Sequence, residues 1–377
     1  MKILFVITGL GYGGAETQLI NIAINLKERG WDVNVISMIP PQTFIKELAA
    51  AGISVETLNM SPGVPDPRAL MRLVKILRLW QPDVVHSHMV HANLLTRISR
   101  IFYRISVVIS TAHNINEGGR WREIAYRLTD CLTDITTNVS HAAVKRYIQV
   151  GAVPKGKIIC IPNGIDTETF KPNQAVGSRV RDELGIKEGF VWLAVGRFEA
   201  AKDYPNMLRA FKELTGKRPD VMLLLAGQGS MLEEIMKLIN ELGLNDKVRF
   251  LGIRRDVPEV MNAADAYVMS SAWEGLPMVL LEASASALPV VVTDVGGNCE
   301  IILDEKSGYI VPSQDTSALA RAMLRMTDLS EAERKRMSEI GRIHIEIHYR
   351  LERVVDQWER LYKELLDRKG YKLKRRC

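Results

Sequence analysis

Short runs of aliphatic and β-branched residues recur along the chain, separated by amphipathic stretches. The first series is KILFVI from Lys2, DVNVIS from Asp32, DVVHSH from Asp83, SVVIST from Ser106, DITTNVS from Asp134 and GKIICIPNGID from Gly156. A polar stretch from Thr167 to Glu188, with Pro172 and two glycines, interrupts the pattern. It then restarts with FVWLAV from Phe190, DVMLLLAGQG from Asp220, KVRFLGI from Lys247, DAYVMSS from Asp265, PVVVTDVGG from Pro289 and GYIVPS from Gly308. Between runs the apolar spacing turns helical, as at Leu19, Ile22, Ala23 and Leu26. Strands alternating with helices predict parallel sheets covered on both faces. The expected class is α/β, with two Rossmann-like, doubly wound domains facing across a cleft. We assign residues 1–168 to the first domain and 169–351 to the second. The charged helical run from Glu331 to Arg368 ends the chain, and its part from about 352 to 377 is assigned to the first domain. Ligands of such sheets bind at the carboxyl ends of strands.

The first strand run leads into Gly9, Gly11 and Gly14, which spell the dinucleotide fingerprint G-x-G-x-x-G. That fingerprint also needs an acidic residue at the end of the second strand to hold ribose hydroxyls. Here the second run ends in Ser37 and Met38, and Asp32 stands at its start. The residues therefore argue against a nicotinamide cofactor. What survives is a glycine turn opening a helix near Ala15, where backbone N–H groups can approach an anion.

Composition narrows the rest. The chain has 377 residues, 47% apolar, enough for two cores. Cys131, Cys160, Cys299 and Cys377 are scattered with no CxxC pair, which argues against a disulfide framework or a zinc site and suits a reducing cytosol. No apolar run approaches the length of a membrane span. A net charge of +6 fits an anionic substrate or an anionic membrane surface. With aromatics at 6% and no base-reading module, nucleic acid is not expected.

Three segments of the second half carry candidate chemistry. VGRFEAAKDY places Arg197 and Lys202 just beyond a strand end. SSAWEGLPMVLLEAS places Glu274, Gly275, Leu276 and Pro277 before a helix, Pro277 as its first residue, with Glu282 inside it. DVGGNCEII ends the next strand with Gly296, Gly297 and Glu300. With GGAE at Gly13–Glu16, DVVHSH, IPNGID at Ile161–Asp166, AGQG at Ala226–Gly229 and FLGIRRDV at Phe250–Val257, the chain resembles, over nearly its whole length, the retaining glycosyltransferases of the GT-B fold, family 4. The resemblance implies transfer of a hexose or N-acetylhexosamine from a nucleotide-diphosphate sugar, expected to be UDP-linked, to a glycan or lipid-linked acceptor. It places Arg197 and Lys202 on the diphosphate, Glu274 on the transferred sugar and Glu282 on the ribose. Gly13, Gly14, Gly227, Gly229, Ile253, Gly275, Leu276 and Pro277 complete the donor side. His88 matches the family histidine beside the sugar, while His86 is read as pointing to the opposite strand face and packing. His113 and Asn163 are acceptor-side candidates, and Arg254 and Arg255 are read as a solvated loop. Asp203 stands where the family often has glycine and adds a carboxylate near Lys202.

The chemistry agrees with these roles. A planar guanidinium and an ammonium suit a leaving diphosphate, so neither a metal nor another cofactor is required. No D-x-D motif suggests a metal either. Carboxylates accept from sugar hydroxyls. Two rival readings remain, a nucleotide-sugar epimerase on the same architecture and a non-catalytic nucleotide-sugar binding protein. Separately, Arg97, Arg100 and Arg104 recur at i, i+3 and i+7, predicting a basic helix face. With the basic tail RKGYKLKRRC, that face would fit an anionic membrane leaflet. A cytoplasmic protein, peripheral on the inner face of the membrane, is expected.

Overall fold

The computed structural model describes residues 1–370. The chain forms two compact units, Met1–Gly164 together with the residues from Leu351 onward, and Ile165–Arg350. Each is built on one sheet whose pairings are all parallel.

In the first unit the strands are β1 (Lys2–Ile7), β2 (Asp32–Ser37), β3 (Ser54–Thr57), β4 (Val84–His88), β5 (Val107–Ala112), β6 (Ile135–Asn138) and β7 (Ile158–Cys160), ordered β3-β2-β1-β4-β5-β6-β7. The sheet turns its order around between β1 and β4, which makes their carboxyl ends the natural ligand position. The helix Leu351–Arg368 buries Val354, Val355, Trp358 and Tyr362 in the same core as Phe5, Ile7 and Leu19. The charged run from Glu331 is two helices, Glu331–His348 and Leu351–Arg368, and the break between them is where the chain passes from one unit to the other.

The second unit holds β8 (Phe190–Val195), β9 (Val221–Ala226), β10 (Val248–Gly252), β11 (Ala266–Met269), β12 (Val290–Thr293) and β13 (Gly308–Val311), ordered β10-β9-β8-β11-β12-β13. Here the order turns around between β8 and β11. Trp192, Phe198, Phe211 and Leu225 fill its core.

The expected basic face does not form. Arg97 is fully buried. Its guanidinium donates to Ser110 Oγ at 3.0 Å, the Tyr126 carbonyl at 3.0 Å and Thr136 Oγ1 at 2.7 Å, and lies 4.7 Å over the Tyr126 ring. Arg100 pairs with Asp134 at 2.9 Å. The helix ends at Phe102, so Arg104 lies beyond it. The helical spacing holds for Arg97 and Arg100 alone, and the face of Arg97 carries Asn93 and Thr96 and packs inward, where hydroxyls and carbonyls satisfy the arginine. Of the basic tail, Tyr371 to Cys377 lie outside the described residues.

Candidate active site

In the second unit the predicted residues gather at the switch point. Arg197 and Lys202 follow β8, and Glu274 follows β11. Lys202 Nζ donates to Glu274 Oε1 at 2.5 Å, and Ser271 Oγ donates to the same oxygen at 2.7 Å. Both charged side chains are mostly buried, at 18% and 12% exposure. Arg197 is exposed, and no hydrogen bond or ion pair engages its guanidinium among the described residues. The cluster thus offers a free planar cation beside an ammonium already held by a carboxylate. Glu282 lies within the helix Met278–Ala285, which starts one residue after Pro277. Burial pushes its carboxyl up to about 7, and the positive charge of Lys202 opposes that shift.

The glycines here have backbone reasons. Gly227 has φ +146, and a Cβ on it would lie 1.9 Å from the Gly196 carbonyl, so the loops after β8 and β9 can touch only with glycine there. Gly296, at φ +56, lets the end of β12 lie against the backbone of Glu274. Leu276 is buried, Ile253 is exposed, and Arg254 pairs with Asp256.

Asp203 serves the helix that follows it. It has φ +46 and ψ +49 and caps the helix Tyr204–Thr215 by accepting from Asn206 N at 3.4 Å. A left-handed residue explains why glycine suits this position. Lys202, one residue before it, pairs with Glu274. Asp203→Gly exchanges a cap worth a few tenths of a kcal/mol over glycine for relief of backbone strain, so stability is expected to stay within about 1 kcal/mol. A thermal melt checks this, and a drop of more than about 5 °C contradicts it.

In the first unit His88 ends β4 at the switch point. Its Nδ1 lies 2.9 Å from His113 Nε2, beyond β5. His88 is fully buried, and its Nε2 has no partner. Burial drives both imidazoles toward the neutral form, His113 to about 4, and neighbouring histidines lower His88 further. One ring therefore donates and the other accepts. His86 does not point to the opposite face. Residues two apart on a strand share a face, and its ring centroid lies 4.1 Å from that of His88. It is packed, as expected, bonding Tyr362 Oη at 2.8 Å and Thr111 Oγ1 at 2.6 Å.

Sequence reasoning missed Ser271 and Glu117. Ser271 stood in the quoted run SSAWEG at a strand end, a visible signal. Glu117 follows His113 by four residues. Its Oε1 accepts from the His113 backbone N–H at 3.2 Å and its Oε2 from Tyr126 Oη at 2.8 Å. Burial pushes this carboxyl up to about 7, with the Tyr126 bond opposing. The folded chain thus keeps a proton that the unfolded chain releases near 4.5. Its contribution to stability falls as pH rises between those values. Glu117→Gln mimics the protonated form and is expected to reduce the loss of stability between about pH 5 and pH 8, read by urea unfolding. An identical loss in variant and wild type contradicts the assignment.

Gly13 caps the helix Gly14–Glu28 without a side-chain bond, leaving its first N–H groups near the end of β1. Asn163 is buried in a turn whose next residue, Gly164, donates its N–H to Gln18 Oε1 at 2.9 Å. That contact ties the turn to the first helix.

Two doubly wound parallel sheets, with cations and carboxylates at the switch point of the second, define the GT-B class of glycosyltransferases. The family Glycosyl transferases group 1 matches residues 178–344, and Glycosyltransferase Family 4 matches residues 12–169. The chain belongs to glycosyltransferase family 4. It is 28% identical over 280 residues to the UDP-Gal:alpha-D-GlcNAc-diphosphoundecaprenol alpha-1,3-galactosyltransferase of Escherichia coli, covering 70% of this chain and 71% of that one. It is 28% identical over 361 residues to the putative glycosyltransferase EpsD of Bacillus subtilis, covering 90% and 91%. Among solved structures, Anabaena Alr3699/HepE in complex with UDP-glucose superposes with a TM-score of 0.86 at 23% identity, covering 98% of this chain and 100% of that one.

Proposed function

We propose that the chain is a retaining, metal-independent glycosyltransferase. It moves a hexose or N-acetylhexosamine from a UDP-sugar to a glycan or lipid-linked acceptor, in the cytoplasm and in the service of surface polysaccharide assembly. The observation that carries the reading is the cluster of Arg197, Lys202, Glu274 and Ser271 with Glu282 on the next helix. Arg197 offers its fork to the diphosphate and Lys202 a point charge, so the charge developing on the leaving group is met by fixed cations. Glu274 holds Lys202 in the structure. A sugar hydroxyl donating to Glu274 frees the ammonium for phosphate, so donor binding is an exchange of partners. Glu282, as a carboxylate, accepts from the ribose hydroxyls. In the first unit His88 presents Nε2 to a sugar hydroxyl, with its tautomer set by His113.

The E. coli relative is named for a UDP-sugar donor and a diphosphoundecaprenol-linked acceptor, and HepE binds UDP-glucose, which supports this donor and acceptor class. Thermal melts with UDP-, GDP- and ADP-sugars, EDTA present, test the donor. The UDP series is expected to stabilise by about 2.7 kcal/mol at a hundredfold excess over Kd. Stabilisation by a GDP- or ADP-sugar alone, or only after magnesium is added, contradicts the reading.

A further inference from the structure

The helix Arg120–Leu128 exposes Trp121, Ile124 and Leu128 at 84%, 37% and 75%. Their spacing, i, i+3 and i+7, puts them on one face. The rest of the helix is engaged. Tyr126 is buried, Glu123 pairs with Arg146 at 2.6 Å, and Arg122 donates to the Glu117 carbonyl. Arg120 and Arg127 are also exposed, and neither has an acidic partner among the described residues. Isolated apolar residues on a surface need no explanation. A tryptophan, an isoleucine and a leucine in one stripe, flanked by two free arginines, do.

We propose that this helix docks on an anionic lipid bilayer. The proposal deepens, and rests on, the reading of a lipid-linked acceptor. An interfacial helix combines an apolar face that enters the headgroup boundary with basic residues that meet lipid phosphates. Indole rings favour that depth. The charges decide against a second copy of the chain, because two-fold pairing of the same face would set arginines against arginines. Position decides against Ile101 and Phe102, another exposed apolar pair of the same unit. That pair ends the helix Val90–Phe102, toward the amino ends of the strands. Trp121 instead stands in the first turn of its helix, just after the loop that leaves the carboxyl end of β5 at His113. Docking through Trp121 holds the bilayer near the His88–His113 pair, where a lipid-borne sugar has to arrive.

The test is co-sedimentation of the full chain with vesicles of phosphatidylcholine alone, or with about one-third phosphatidylglycerol. Wild type is expected to bind the anionic vesicles preferentially. Trp121→Ser/Leu128→Ser and Arg120→Gln/Arg127→Gln are each expected to bind them at least about tenfold more weakly. Tryptophan emission of wild type should shift to the blue on binding, and Trp121→Ser should lose most of that shift. Stabilisation by UDP is read in the same samples. If it persists while vesicle binding is absent, the docking helix is wrong and the transferase reading stands. If vesicles bind and UDP has no effect, the reverse holds. The proposal is overturned if the apolar double variant binds like wild type, if anionic and neutral vesicles bind alike, or if the stripe drives self-association that Trp121→Ser/Leu128→Ser abolishes.

Discussion

Lys202→Ala is expected to lower kcat/KM at least about hundredfold, the loss typical when one preorganised donor to a developing anion is removed. It is also expected to destabilise the fold, because Glu274 is left as a mostly buried carboxylate with Ser271 as its remaining side-chain donor. An uncompensated group of this kind costs about 1–3 kcal/mol, or several degrees in Tm for a unit of this size. Arg197→Ala makes the contrast. Its guanidinium is exposed and unpaired among the described residues, so Tm should stay within about 1 °C of wild type. Its turnover should still fall at least about tenfold, since a charge-assisted phosphate contact is worth about 1.5–3 kcal/mol. Steady-state kinetics and melts on the two purified variants check both halves. Wild-type turnover in Lys202→Ala, or a loss of stability in Arg197→Ala with intact turnover, contradicts the assigned clamp.

The two glutamates should fail differently. Glu282 is assigned to the ribose, which does not change during transfer, so its loss removes binding common to ground and transition states. Glu282→Ala is expected to weaken free UDP by up to about 3 kcal/mol, roughly a hundredfold. Glu274 is assigned to the moving sugar. Glu274→Ala should leave UDP affinity near wild type, lower turnover and blur discrimination between epimeric donors. The raised carboxyl of Glu282 adds a pH signature. With the proposed ribose hydroxyls donating to the carboxylate, wild-type affinity for a UDP-sugar should fall as pH drops below about 7, and Glu282→Ala should lose that dependence. A UDP-sugar is the right probe, because the terminal phosphate of free UDP titrates in the same range, near about 6. Titration calorimetry decides. Weakened UDP in Glu274→Ala with intact UDP in Glu282→Ala means the donor lies in the opposite direction along the site.

The alternating pattern was enough to read the two parallel sheets, because strands buried on both faces are near-continuous apolar runs. The strand missed, β3, is a short edge strand whose residues are alternately exposed and half-buried, so SVET carries little apolar signal. In the candidate site the residues that pair across the cluster, Lys202 and Glu274, were legible because each follows a strand end in a compact motif. What was not legible was burial. Arg97 reads as surface by its charge, yet four side-chain or carbonyl acceptors and an aromatic face house it inside. Glu117 carries no motif, and only the fold brings it against the His113 backbone and Tyr126. Trp121 and Leu128 spell an ordinary amphipathic helix, and only the fold shows that their face is left uncovered.

The central claim is retaining transfer from a nucleotide-diphosphate sugar, driven by fixed cations. NMR of the first product formed from a UDP-α-sugar, with EDTA present throughout, tests it directly. The account predicts an α-linked product formed at the undiminished rate. A β-linked product, or activity abolished by EDTA and restored by magnesium, contradicts it.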